Sequence, residues 1–165
     1  MFKRILPLAL IGAAAAFAAP ALALPPFTTA AKSGPASGLQ AQLAAVSVSR
    51  HATFDRIVFR FKSARPGYQV RYVPKIIADG SGLPVAVLGS GKLLIRLEPA
   101  RAHTVATGSP TVARRLTPLF PALRQLKISG DFEGVVSFGA GINGKKPFRV
   151  FTLTAPQRIV VDIQH

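Results

Sequence analysis

ISGDFEGVVSFGAGINGKKPFRVFTLTAPQRIVVDIQH, residues 128–165, decides how this chain folds. Val136, Phe138 and Ala140 alternate with Val135 and Ser137, Phe148 and Val150 with Arg149 and Phe151, and Ile159, Val161 and Ile163 with Val160 and Asp162. A period of two marks strands with one buried face, so the stretch predicts three strands. Asn143-Gly144 lies between the first two runs, and its tolerance of positive φ predicts a tight hairpin there. Ala155-Pro156 stops the second run and lets the third begin.

Upstream the same period recurs. Leu43 to Val48 reads as a first strand, although its alanines also admit a short helix. In HATFDRIVFRF, residues 51–61, Ile57, Phe59 and Phe61 share one face, with Val58 and Arg60 on the other. Tyr68, Val70 and Tyr72 alternate with Gln69 and Arg71. Leu83 to Leu88 carries Pro84 and is expected as a short edge strand. Leu93, Ile95 and Leu97 alternate with Leu94 and Arg96. Pro99 to Phe120 has no strong period and is expected as a long surface loop with a helical turn at most. Leu123 to Ile128 is a further strand. About eight or nine short strands, separated by frequent turns and with little helix, predict an all-β antiparallel sandwich. Asp55 to Phe61 and Gln157 to Ile163 share Arg-Ile-Val and the same alternation, an echo that two equivalent strands would produce.

Residues 1–23 are expected to be a signal peptide. Lys3 and Arg4 precede an apolar run from Ile5 to Phe17, and Ala21-Leu22-Ala23 offers a small-x-small cleavage site after Ala23. The alternative is a retained anchor, which Pro20 and the Leu24-Pro25-Pro26 break disfavour. Residues 24–40, rich in Pro, Gly, Ala, Ser and Thr, read as a flexible linker, and 41–165 as one domain. There is no cysteine, so neither a lipid-modified cysteine nor disulfides enter, and packing must hold the fold.

The chain carries 21 Lys and Arg against six acids, a net +15. Such a field favours polyanions, and for an exported basic protein these are wall polymers and membrane surfaces, with nucleic acid a weak third. Arg114, Arg115, Lys127, Lys145 and Lys146 are the foremost candidate contacts, with Arg101 and Arg124 beside them. Lys145 and Lys146 are expected at a hairpin tip. Plain solubility is the competing reading of the charge.

Gly139-Ala140-Gly141-Ile142-Asn143-Gly144 fits G-x-G-x-x-G, but a strand pattern follows where a phosphate-binding helix would have to start. Gly89-Ser90-Gly91-Lys92 resembles the end of a P-loop, yet Ala86 and Leu93 occupy positions that need Gly and Ser or Thr. Both read as turns. Asp131 and Glu133 are the one close carboxylate pair, and i, i+2 spacing would place them on one side of an extended segment. They could serve as acid and base of a small glycan hydrolase. The commoner role is structural, with Arg56 or Arg158 pairing with Asp131, Glu133 or Asp162 to fix strand register. His51, His103 and His165 lack partners at metal-ligand spacing, and no serine sits in a nucleophile elbow, so neither a metal nor a cofactor is expected. Tyr68 and Tyr72 could stack on sugar rings or simply pack half-buried, and Arg71, Arg56 and Arg158 could grip ligand carboxylates.

Phe54-Asp55-Arg56, Gly130-Asp131-Phe132-Glu133-Gly134, Pro147-Phe148-Arg149-Val150-Phe151 and Pro156-Gln157-Arg158-Ile159-Val160-Val161-Asp162 together resemble the AMIN-like domain of exported actinobacterial proteins, distantly similar to the AMIN domain of cell-wall amidases. The resemblance spans roughly Leu43 to His165. It implies a β-sandwich that is not itself an enzyme and associates with the cell envelope, with peptidoglycan or an anionic wall polymer as ligand. An exported module that binds an envelope protein and regulates a wall hydrolase is the first alternative.

Overall fold

The computed structural model describes residues 23–165, so the expected signal sequence falls outside the described residues except for its last position. Eleven strands form two sheets, and no helix occurs among the described residues. The strands are β1 (Lys32–Gly34), β2 (Ala41–Arg50), β3 (Phe54–Phe61), β4 (Gly67–Tyr72), β5 (Gly91–Glu98), β6 (Ala100–Arg101), β7 (Arg115–Leu116), β8 (Leu123–Phe132), β9 (Val135–Ile142), β10 (Phe148–Leu153) and β11 (Arg158–Gln164). One sheet has the order β1-β4-β5-β9-β8-β7 and the other β10-β11-β3-β2-β6; every pairing is antiparallel except β2 with β6. The result is the expected sandwich, with the extra strands contributed by very short segments.

The core lies between the sheets and is assembled from the alternating residues. Ile57, Phe59 and Phe61 of β3 and Ile159, Val161 and Ile163 of β11 face Leu93, Ile95 and Leu97 of β5 and Val136, Phe138 and Ile142 of β9, all essentially without solvent exposure. Phe59 and Phe138 meet at its centre, ring centroids 5.0 Å apart and tilted by 55°. Such pairs add to plain area burial, which supplies about 1.5–3 kcal/mol for each large side chain. The echoing segments prove to be β3 and β11, direct neighbours in one sheet, with Ile57 opposite Val161 and Phe59 opposite Ile159.

β9 is buried along its whole length. Its outer side is covered by the connection between β4 and β5, residues 73–90, which lies across the sheet instead of forming the edge strand expected at Leu83–Leu88. Pro84 has no N–H to extend a ladder, and only an isolated bridge to Ile77 forms. The covering segment is fastened by the Asp79 N–H to the Ser129 carbonyl at 3.1 Å and by Lys127 Nζ to the Ala86 carbonyl at 2.7 Å. Close approach needs the missing side chains of Gly139 and Gly141. A Cβ on Gly139 would lie 2.8 Å from Ile76 Cγ1, and one on Gly141 would run into the Leu88 carbonyl oxygen. The G-x-G stretch is therefore a strand with a backbone laid against it.

The turns differ from expectation in an instructive way. Asn143-Gly144 does not close a hairpin, because β9 and β10 belong to different sheets; only Gly144 has positive φ, and the chain crosses between layers there. The tight two-residue hairpin is Glu133-Gly134, both at positive φ (49° and 80°), joining β8 and β9. That is the type I′ geometry, which matches strand twist.

Residues 24–40, read as a flexible linker, are laid on the domain. Thr28 exchanges both backbone hydrogen bonds with Phe148 of β10, and β1 pairs with β4. The segment thus reaches from the edge of one sheet to the edge of the other. Strand pairing needs only backbone groups, so composition gave no sign of it. Likewise Pro99–Phe120, though irregular, contains β6 and β7 and a single helical turn closed by the Gly108 N–H to the Thr104 carbonyl at 2.9 Å, and Thr111 Oγ1 ties it to the Leu43 carbonyl at 2.7 Å.

Candidate functional site

The outer face of the five-stranded sheet gathers the largest set of unusual side chains. Register places Arg149 of β10, Asp162 of β11 and Arg56 of β3 in one row. Arg56 donates from Nε to Asp162 Oδ1 at 2.6 Å and from a terminal nitrogen to Oδ2 at 2.9 Å, while Arg149 Nε donates to Oδ2 at 2.8 Å. Asp162 is wholly buried between them. Phe27, Phe54 and Phe151 close around the guanidinium groups, with Arg149 4.4 Å from the Phe27 ring centre and Arg56 5.1 Å from that of Phe54. Flat, weakly hydrated guanidinium groups stack well on such faces.

Further along the same face the charge is left uncompensated. Arg158 lies directly opposite Arg60 across the β3–β11 ladder. Arg158 donates only to the carbonyl of Pro156, at 3.2 Å, and neither arginine has a carboxylate partner among the described residues. Phe151, Val160 and Val58 form the apolar band between the two rows. Register fixing by an arginine–carboxylate pair therefore falls to Arg56 with Asp162. Replacing Asp162 with alanine should cost about 2 kcal/mol, since Arg56 and Arg149 would lose their acceptor but can turn towards water. Replacing Arg158 with alanine should change stability by less than about 0.5 kcal/mol. Thermal melts of the two variants test this directly, and a large loss in the Arg158 variant would contradict it.

The other candidates are dispersed. Tyr68 and Tyr72 face inward at the margin of the sandwich. The Tyr68 ring lies across Gly34, and Tyr72 stacks edge-on to Phe148 at 5.8 Å and donates its hydroxyl to the Lys146 carbonyl at 2.7 Å. Burial pushes both phenols above their ordinary pKa, so they stay neutral. Arg71 is exposed on the opposite side of β4, facing away from the arginine-rich sheet. A shallow depression beside Tyr68, lined by Ser33, Gln69, Arg96 and Glu98, contains the surface Arg96–Glu98 pair.

Among the candidate polyanion contacts, Arg115 and Lys127 are cross-strand partners, and the Arg114 carbonyl accepts the Ile128 N–H, so these three form one basic corner. Lys127 spends part of its donor capacity on Ala86. Arg101 donates to Gln40, and Arg124 to the carbonyls of Leu119 and Phe120. Lys145 is exposed and Lys146 half-buried on the crossover between sheets, not at a hairpin tip.

Asp131 and Glu133 do not converge. Glu133 occupies the type I′ turn, is exposed, and has no ion-pair partner among the described residues. Asp131 is engaged instead by His103, Nδ1 to Oδ2 at 2.8 Å, and by the Ala102 N–H, to Oδ1 at 3.0 Å. The expected arginine partner is absent because the 102–111 loop brings a histidine to that position. Sequence reading missed this pair, as well as Arg149 and Arg60. The last two were within reach, since pairing β10 with β11 across Ala155-Pro156 puts Arg149 beside Asp162, and pairing the echoing segments antiparallel puts Arg60 opposite Arg158. Among the described residues no three His, Asp or Glu side chains group as a metal site.

A two-sheet β module with arginine-lined surfaces, most of whose carboxylates are held in structural contacts, is thus the class that fold and surface define. The chain belongs to the AMIN-like domain family, whose model matches residues 41–165. No curated protein matches it. Domains of this family are cell-wall-related, generally non-catalytic binding modules associated with exported cell-envelope proteins. No described helix is long and apolar enough to cross a membrane.

Proposed function

We propose that this protein is a non-enzymatic envelope module, exported with cleavage after Ala23, that binds peptidoglycan or an anionic wall polymer through the outer face of its five-stranded sheet. The observation that carries this reading is the placement of Arg60 directly opposite Arg158 with no carboxylate between them. Like charges across a ladder are destabilising, and an anion between them would remove the repulsion. Guanidinium forks match carboxylate and phosphate oxygens two at a time, and the Phe151–Val58 band offers an apolar surface for the adjoining part of a polymer. Arg56 and Arg149 share the single carboxylate of Asp162, which leaves that row a net charge of +1, and form the ordered border of the site.

The mature chain, residues 24–165, should pellet with purified wall sacculi, and the Arg60→Ala, Arg158→Ala double variant should lose at least about tenfold in affinity, or 1.4 kcal/mol, without loss of fold. Sacculi stripped of anionic polymers separate the two ligands. Retention after stripping and in high salt assigns peptidoglycan, whereas loss on stripping assigns the anionic polymer, with screening expected over about 10 Å at 0.1 M salt. No pelleting in any condition would reject envelope binding through this face.

A further inference from the structure

β2 is left bare along one side. β6 pairs with it only at Ala41 and Gln42, and among the described residues no backbone group bonds to residues 44–50 from that side. The phase of the β3 ladder fixes which groups are free. The His51 N–H donates to the Phe54 carbonyl at 2.8 Å, so antiparallel alternation gives the bonded pairs as Ser49–Arg56, Ser47–Val58 and Ala45–Arg60. The Phe61 N–H agrees, turning away from β2 to the Gln157 carbonyl at 2.9 Å. Val46, Val48 and Arg50 therefore direct their N–H and C=O groups outward. At one end the slot is closed by Thr111 Oγ1 on the Leu43 carbonyl; the other end, at Arg50, is open. The slot beside residues 44–50 is about 23 Å long at the rise of a strand. Residues 44–49 contain no proline and no charge, the features that ordinarily blunt an open edge. On its inner side Val46 and Val48 are half-buried against the core, and on its outer side Ser47 and Ser49 are exposed. The surroundings are basic. Arg50 and Arg60 are exposed, the latter opposite Ala45, while both carboxylates of this sheet, Asp55 and Asp162, are wholly buried.

We propose that this edge takes up an extended segment of another protein by strand addition, one whose residues alternate between apolar and acidic. Main-chain hydrogen bonds to Val46, Val48 and Arg50 hold the segment, and its side chains decide which segments fit. Directly paired residues share a face, so the apolar residues cover Val46 and Val48. The acidic ones lie over Ser47 and Ser49, in the field of Arg50 and Arg60 and with no exposed carboxylate of this sheet to repel them. A second copy of the chain fits poorly, because two strongly basic molecules would bring their like charges to one sheet. Wall binding through the outer face uses arginine side chains and none of these backbone groups, so the two readings stand or fall separately.

The test is titration of the isotope-labelled mature chain with the peptide acetyl-Val-Glu-Val-Glu-Val-Glu-Val-amide. It should shift the amide signals of Val46, Val48 and Arg50 saturably. In the paired phase the valine N–H groups of the peptide face β2 and its glutamate N–H groups face water. N-methylation of the two central valines should therefore weaken binding at least about tenfold, and N-methylation of two glutamates by less than about threefold. The same peptide with lysine in place of glutamate should not bind. Equal loss from the two methylation patterns, equal binding of the lysine peptide, shifts confined to the Arg60–Arg158 face, or no saturation by about 5 mM would overturn the inference. Concentration-dependent dimerisation of the chain alone that shifts the same three amides would also overturn it, assigning the edge to a second copy.

Discussion

Replacing Asp55 with alanine should lower the unfolding free energy by about 3–5 kcal/mol, a large part of the 5–15 kcal/mol typical of a domain. Asp55 is wholly buried at the end of the core, and its Oδ2 accepts the N–H groups of Ala122 at 2.7 Å and Leu123 at 2.9 Å. His165 Nε2 approaches the other oxygen at 3.4 Å. One side chain on β3 thereby fixes the start of β8 and stands beside His165, the residue that follows β11. Alanine would leave two backbone donors buried without acceptors, and Ala122 and Leu123 are themselves fully covered, so water has no route to replace the carboxylate. Asparagine keeps an acceptor oxygen in place and should lose only about 1–2 kcal/mol. Urea titrations of the three proteins measure the difference, and an alanine variant within 1 kcal/mol of the parent, a change of the size expected for ordinary surface positions, would show that the contact is dispensable.

Gly141 is expected to be nearly as sensitive for an unrelated reason. An added Cβ would meet the carbonyl of Leu88, a backbone obstacle that no rotamer change can clear. The covering segment would have to lift from β9, disturbing the Leu88 N–H to Gln125 contact at 3.3 Å and the burial of Val87. Gly141→Ala should therefore cost about 3 kcal/mol, the upper end of the range for overpacked interiors. Gly144→Ala is the control. Gly144 has φ of +82° but open space around it, so the strain of left-handed backbone alone applies, about 1 kcal/mol. Equal destabilisation of the two variants would mean that the layer over β9 is looser than its contacts imply.

The sandwich was legible wherever one face of a strand is buried and the other wet. β3, β5 and β11 announce themselves through Ile57-x-Phe59, Leu93-x-Ile95 and Ile159-x-Val161, because alternation is a direct image of the pleat. Turn chemistry was legible by residue type but not by location. Asn143-Gly144 and Glu133-Gly134 both supply positive φ at glycine, and only the pairing partners decide which closes a hairpin. The covering segment and the docked residues 24–40 left no periodic trace, since they are fastened by backbone groups and by a few side chains. The site residues follow the same division. Arg56 and Asp162 stand near opposite ends of the echoing segments, which antiparallel pairing brings face to face, and were candidates for an ion pair from sequence. The His103–Asp131 contact spans an aperiodic loop, and its formation depends on where Thr111 and Pro110 anchor that loop.

The docked N-terminal segment has a consequence for how the molecule survives at high concentration. β10 and β4 would otherwise present rows of free backbone donors and acceptors at the open margins of their sheets, the template on which chains add to one another into polymers. Thr28 occupies part of the first margin and β1 the second. β1 is only three residues long, ends at a glycine and is followed by Pro35, so it takes up the β4 margin while offering a further chain little strand to extend. The same short ribbon that composition reads as a tether acts as a cap on growth, keeping an all-β protein discrete where it is crowded.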